Sequence, residues 1–294
     1  MAKHLEHYPS NHISRGAITL ASTISFDHCQ DVFIRAIQFL TFMVVLTTGF
    51  MASSAPLPLE SEVMEYDIKW GAVTAGKATM SCRRYSEGGT NVWIRVMQAK
   101  SQGWVSLFKR IDSQIVSVER INEVGETMYE VHKLIREGSF RQDDFLTVDS
   151  VRKVASWSDR RAKTNVEFMI PEGTQDYVSM MFSLRSLGDL PRDEPRLYAL
   201  IMDDAVHEMS AEVVDTAHVK SALGDHEARE LLVKSKSPGL FVRNIPESIW
   251  VCPEQRIIVS MDISTRLGRV KTLLTRWTVD GVDITRSDRS LKSM

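Results

Sequence analysis

In the stretch TQDYVSMMFSLRSLG, which runs from Thr174 to Gly188, one arginine sits where an arginine is costly. At 100° per residue on a helical wheel, Arg185 falls between Val178 and Met181, inside the apolar arc. Gln175, Ser179, Ser183 and Ser186 take the opposite side. A guanidinium turned toward a core needs a carboxylate or a ligand anion against it to offset the water it loses. The structural reading is an internal ion pair with a strand carboxylate such as Asp112, Asp149 or Asp262. The functional reading is an anion-recognising arginine in a pocket under the helix. The ion pair is the favoured of the two.

Other chemistry-bearing residues are scattered. Asp112, Asp143, Asp144 and Asp262 offer carboxylates for acid and base work on a glycan or lipid, provided that two of them stand roughly 5 to 9 Å apart in one cleft. DDAVHE, with Asp203, Asp204, His207 and Glu208, gathers oxygen and imidazole ligands, but its place between two apolar runs reads as a charged hairpin turn. HEARE starts as a zinc-protease motif at His226 and Glu227, yet Glu230 stands where the second histidine belongs, in a strand-like context. His132 and His218 stand alone. No nucleophile elbow, phosphate loop, dinucleotide fingerprint or C-x-x-C pair occurs. No metal and no cofactor is therefore expected. The six tryptophans are at 70, 93, 104, 157, 250 and 277. Trp70, Trp104 and Trp250 are the candidates for stacking on a sugar or lining a greasy pocket, although a core role is the ordinary reading of such residues.

The elements that must hold these groups are mostly strands. In YDIKWGAVTAGKATM, Tyr66, Ile68 and Trp70 alternate with Asp67 and Lys69; a glycine-bounded stretch follows, and then Ala78 and Met80 alternate with Lys77 and Thr79. This pattern predicts a strand, a turn and a returning strand. Similar runs follow: KATMSCRRY, NVWIRVMQAK, LFKRIDSQIVSVE, TMYEVHKLIRE and SFRQDDFLTVD, and later LYALIMDD, VHEMSAEVV, EARELLVKSK, SIWVC, RIIVSMDIS and GRVKTLLTRWTV. Glycine and asparagine punctuate them. Between the two sets the period changes, and Tyr177, Met180, Met181, Leu184 and Leu187 predict an amphipathic helix over about 174–187, with Thr174 or Asp176 as cap and Gly188 at its exit. The expected fold is mainly β, one large curved antiparallel sheet or half-barrel whose face or end is plugged by that helix. No linker divides it, so residues 55–294 are read as a single domain.

The chain has 36 basic and 38 acidic residues, a net charge of −2, which supplies no field for phosphate backbones and argues against nucleic acid. The run AIQFLTFMVVLTTGF, Ala36 to Phe50, follows Arg35 and precedes the small residues of MASSAP, the plan of a secretory signal with cleavage after Ser54. An uncleaved single-pass anchor is the alternative. Residues 1–34 form a polar, histidine-containing extension, or lie upstream of the true start. Export to the periplasm is the expectation, with membrane contact only through the apolar segment. Cys82 and Cys252 either pair in an oxidising compartment or stay as core thiols.

Three stretches, YDIKWGAVTAG, IPEGTQDYVSMMFSLR and IWVCPEQRIIVSMDISTRLGRVKTLL, together resemble the exported bacterial family catalogued as domain of unknown function 3108. Asp176, Ser179, Leu184 and Arg185 match its D-x-x-S-x-x-x-x-L-R helix, and Trp250, Gly268 and Leu273 its tryptophan strand and closing strand. The aspartate usual after the tryptophan is replaced by Pro253-Glu254. The resemblance, from Val63 to Leu274, implies a periplasmic or cell-envelope β-protein, lipocalin-like or lipoprotein-carrier-like in outline, and implies no reaction. The reading that follows is a non-enzymatic binder of a lipid or other amphiphile, a glycan or an envelope protein. An envelope hydrolase using the carboxylates named above is the alternative.

Overall fold

The computed structural model describes residues 60–192, 194–236, 246–265 and 268–285, all within the unit Ser54–Met294. The leader, the apolar run 36–50 and the cleavage position lie outside the described residues.

The alternating stretches form strands much where the pattern predicts. The first set gives β1 (Glu60–Trp70), β2 (Val73–Glu87), β3 (Thr90–Ser101), β4 (Asp112–Ile121), β5 (Thr127–Glu137) and β6 (Phe140–Asp149). Two further strands, β7 (Val154–Asp159) and β8 (Thr164–Met169), are absent from the sequence reading. They are six residues each, and β8 exposes Thr164, Asn165, Glu167 and Met169, leaving only Val166 and Phe168 as an inward apolar pair, so little hydrophobic signal marks it. After a two-residue β9 (Gln175–Asp176) and the helix come β10 (Arg196–Met202), β11 (Ala205–Ser221), β12 (Gly224–Ser235), β13 (Ser248–Cys252), β14 (Ile257–Thr265), β15 (Gly268–Val279) and β16 (Val282–Asp283).

The run LFKRIDSQIVSVE does not form one strand. Its first part lies in a short helical turn, α1 (Val105–Phe108), and β4 begins at Asp112. In the opening hairpin the turn is shorter than expected. Gly71 takes a φ of 59°, which favours glycine, and β2 already starts at Val73. Gly76 lies inside β2, where a Cβ would stand 2.4 Å from the Lys100 carbonyl oxygen, so only glycine lets β3 approach.

The strands form one sheet in the order β8-β7-β6-β5-β4-β3-β2-β1-β15-β14-β13-β12-β11-β10-β9, with β16 beside β15. Two meanders are thus joined where the first strand meets the last long one, Met64 opposite Trp277 and Ile68 opposite Thr272. All pairs are antiparallel except β9 with β10. The sheet is open and curved. Its far ends approach through side chains, since Tyr129, Val131, Leu146 and Ala155 of the first meander pack in one cluster with Ile201 and Val206 of the second. Lys133 and Gln142 also reach Asp203, at 2.5 and 3.0 Å.

The predicted helix is present but divided. α2 spans Tyr177–Ser183 and continues as a tighter 3-10 turn, Leu184–Asp189. Asp176, not Thr174, is its cap: the carboxylate accepts from the backbone N–H of Val178 at 2.8 Å and of Ser179 at 3.1 Å. Met180, Met181 and Leu184 sink into the concave face, among Met64, Tyr66, Met80, Met209, Leu231 and Ile249, and Val178 is buried as well. Where a hollow barrel would keep a ligand, this region is filled by the helix and by methionines that adapt to it. Tyr66 is fully buried, and its hydroxyl donates to the Ile258 carbonyl at 3.0 Å. Cys82 and Cys252 are both buried and free.

Candidate functional site

One row of the concave face is polar. Glu62 of β1, Cys82 of β2, Arg95 of β3 and Ser117 of β4 stand opposite one another in successive ladders. The helix crosses the strands along this row and bonds to it at three points. Ser117 Oγ donates to Asp176 Oδ2 at 2.9 Å. Arg95 Nη1 donates to Ser179 Oγ at 3.3 Å, and that hydroxyl donates to Asp176 Oδ2 at 2.5 Å. Arg185 closes the seam with a two-pronged pair to Glu62, Nη1 to Oε2 at 2.6 Å and Nη2 to Oε1 at 2.8 Å. The D-x-x-S-x-x-x-x-L-R pattern is thus a docking seam, in which Asp176, Ser179 and Arg185 find β4, β3 and β1 in turn, while Leu184 enters the core.

The Arg185 pair is largely shielded, its side chains 13% and 16% exposed. Its carboxylate also accepts from Trp277 Nε1 at 2.7 Å, its guanidinium stacks on Phe182 at 5.8 Å, and Arg185 Nε donates to the Arg256 carbonyl. The partner is Glu62, not Asp112, Asp149 or Asp262. Those three point elsewhere: Asp112 faces Lys100 at 3.7 Å, Asp149 accepts from the Arg152 N–H in a turn, and Asp262 stands opposite Lys271. In the turn after Trp250, where Pro253-Glu254 replaces the usual aspartate, the backbone carbonyl of Arg256 meets Arg185.

Beside the seam opens a cleft of about 270 Å³. Its floor and walls are Arg95, Glu119 and Tyr129 from the sheet, and Gln175, Ser179, Phe182 and Ser183 from the helix side. The helix face that carries Gln175, Ser179 and Ser183 is therefore turned to this cleft. Glu119 Oε2 accepts from Arg95 Nη1 at 2.7 Å, leaving Arg95 Nη2 and Nε outside both of that nitrogen's contacts, and the guanidinium lies 5.3 Å from the Trp93 ring. Ser183 Oγ donates to Gln175 Oε1 at 3.0 Å. The Tyr129 hydroxyl donates to the Thr174 carbonyl at 3.2 Å; burial, and then the charges of Asp176 and Glu119, push its ionisation well above the usual phenol range, so it stays a donor. Burial likewise pushes the Cys82 thiol up to about 11, which makes it a poor nucleophile.

The cleft is lined by none of the residues singled out in the sequence as ligand-binding. Trp70 and Trp104 are exposed at the opposite end of the sheet, and Trp250 packs against the core. The four carboxylates considered for acid and base work are not brought together. Asp144 is buried on the inner face, while its neighbour Asp143 lies on the other face with His132, at 2.8 Å. Asp112 pairs with Lys100 on β3, and Asp262 stands on β14. In DDAVHE, Asp203 and Asp204 form the turn between β10 and β11, while His207 and Glu208 already lie in β11, and among the described residues no three metal-binding side chains cluster. Arg95 and Glu119 escaped notice because each sits in a run whose two faces both carry apolar residues. The signal was there in the shared face of Trp93, Arg95 and Met97, a charge between two large apolar side chains.

No curated protein matches the chain. Among solved structures the chain is similar to a beta-barrel-like protein of domain of unknown function DUF1849 from Brucella abortus, at 8% identity and a TM-score of 0.47, covering 77% of this chain and 99% of that one. A family model described as protein of unknown function, DUF3108, matches residues 65–275. That span takes in the opening hairpin, the helix seam and the closing strand, and the chain belongs to the DUF3108 family.

Proposed function

We propose that this is an exported, envelope-resident protein that binds a glycan in the cleft between α2 and strands β3 to β5, and that it holds the ligand without transforming it. The observation that carries the reading is the lining. Two aromatic side chains, Tyr129 and Phe182, stand with a guanidinium, two carboxylates, three aliphatic hydroxyls and an amide around one small space. Sugar rings ask for this mixture, an apolar face for the ring and planar, fixed donors and acceptors for its hydroxyls.

Size and surroundings favour a glycan over an amphiphile. A volume near 270 Å³ lies just below the range of about 300–1,000 Å³ that holds drug-sized ligands, and it admits a sugar ring or two rather than an acyl chain. The concave core that would have to take an acyl chain is packed with side chains of 0 to 1% exposure. Asp176, the second carboxylate of the cleft, is committed to two backbone N–H groups and two hydroxyls, a positioning role. Export is supported by the apolar run 36–50 and the small residues that follow it.

Native mass spectrometry of the full chain with a soluble N-acetylhexosamine disaccharide, and separately with a short-chain phospholipid, tests the reading. One saccharide per chain and no retained lipid is the expected result; retained lipid with no saccharide would overturn it. A mature N-terminus at Ala55 in the periplasmic fraction is expected for export, and a chain retaining residues 36–54 in the membrane fraction would contradict cleavage.

A further inference from the structure

The connection from β3 to β4, Gln102 to Ile111, carries three large apolar side chains that stand largely in solvent. Leu107 is 84% exposed, Phe108 81% and Trp104 50%. They are nonetheless held in one arrangement. The Trp104 and Phe108 rings meet edge to face at 5.7 Å, Ser106 Oγ donates to the Gly103 carbonyl at 2.6 Å, and the Lys109 N–H closes the turn on the Val105 carbonyl at 2.9 Å. The neighbouring β5–β6 turn is tied to this tip, its Gly138 N–H donating to the Arg110 carbonyl at 2.7 Å, and it adds a half-exposed Phe140. Single exposed apolar residues are ordinary; a contiguous, ordered group of them marks a contact surface.

The charge around the tip is one-sided. Lys100 and Lys109 have carboxylates at 3.7 and 3.5 Å, in Asp112 and Glu137. Lys77, Arg110, Arg136 and Arg141 have none within ion-pair reach among the described residues, and Arg141 instead donates to the Gly138 and Phe140 carbonyls. An aromatic and aliphatic point ringed by excess cations fits the interface of an anionic bilayer, where tryptophan and phenylalanine enter the headgroup layer and lysine and arginine meet phosphates. A stable protein interface needs about 800 Å² per partner, broad and complementary, and a single projecting turn does not offer that.

We propose that this end of the sheet docks on an anionic lipid surface through Trp104, Leu107 and Phe108. It is a membrane contact separate from the N-terminal apolar segment and independent of what the cleft binds. Arg95 in the cleft lies six residue steps from Ser101 at the strand end, about 20 Å at 3.3 Å per residue, so docking at the tip leaves the cleft clear of the lipid surface.

Hydrogen exchange read on the peptide spanning residues 102–110 tests this on the full chain, because it separates the tip from any insertion of the apolar N-terminal run. Vesicles of phosphatidylethanolamine with phosphatidylglycerol are compared with phosphatidylcholine vesicles and with buffer. Exchange at 102–110 should slow by about tenfold or more on the anionic vesicles, and less or not at all on the neutral ones. The double variant Leu107→Ser/Phe108→Ser should lose the slowing at a nearly unchanged melting temperature, since the two side chains are 84% and 81% exposed and only the Trp104 ring contact is lost, and Arg110→Glu should diminish it. Chains that bind vesicles with no slowing at 102–110 would overturn the proposal. So would slowing that needs no vesicles and rises with protein concentration, which would assign the tip to a second copy of the chain.

Discussion

Arg185 shows how one residue can be read halfway from sequence. Its place in the apolar arc of the helix announces an inward guanidinium, and the structure gives it a carboxylate on a strand. The partner, however, is Glu62, which shares a face of β1 with Met64 and Tyr66. Choosing Glu62 over Asp112, Asp149 or Asp262 requires knowing which strand the helix end crosses, and no local pattern carries that. Replacing Arg185 with alanine strands the Glu62 carboxylate beside the Trp277 indole with little water, and should cost about 3–5 kcal/mol in urea unfolding. A loss below about 1 kcal/mol would mean that the pair behaves as a surface contact. Asp144 makes a second prediction. Burial raises its pKa from 3.8 to about 6, against the opposing effects of Lys133 and Gln142. The folded state therefore keeps the proton to higher pH than the unfolded chain does. The stability contributed by the neutral form is complete below about pH 3.8, declines through the interval above it and is lost once pH passes about 6. Asp144→Asn should remove this component, at most about 1.4 kcal/mol per pH unit, and leave the variant at least as stable as wild type at pH 7. A wild-type slope that survives in the variant would assign the titration to another group.

Among the elements, the long strands were legible because alternation and glycine punctuation act locally. β13 and β15 have the bounds that their residues suggest, whereas β7 and β8 are too short and polar to announce themselves. The stretch from Leu107 to Ile111 was misread for a physical reason. The apolar run reads as the start of a strand, but Leu107 and Phe108 project from α1 into solvent, and only Ile111 pairs, with Glu137. The polar side of the helix was legible as polar and not as cleft-lining, because the sheet opposite it carries its own polar row. That seam depends on Asp176, whose two oxygens serve two backbone N–H groups and two hydroxyls. Asp176→Ala should destabilise the protein by about 2–3 kcal/mol, more than a cap alone, and Asp176→Asn by less, since its amide keeps one accepting oxygen. Equal losses for the two variants in thermal unfolding would show that charge rather than acceptor geometry holds the helix.

At the scale of the whole molecule, two meanders are locked by β1 against β15, and the helix fills the hollow that their curvature makes. The curved sheet and its plug are legible in the sequence, but the ligand-binding candidates it offers are Arg185, Trp70, Trp104 and Trp250, with scattered aspartates for catalysis, and none of these lines the cleft. The cleft arises where the polar faces of two elements distant in sequence meet, and its residues are dispersed from Arg95 to Ser183. That cleft is the proposed binding site. Titration calorimetry with the disaccharide, run on wild type beside Ser183→Trp, tests it most directly, because the indole would fill the space that the ligand needs while the buried face of α2 stays intact. Wild type should take up one saccharide per chain, and the variant should bind at least about tenfold more weakly at a similar melting temperature. Equal affinity of the two proteins for the saccharide would place its binding outside the cleft and contradict the account.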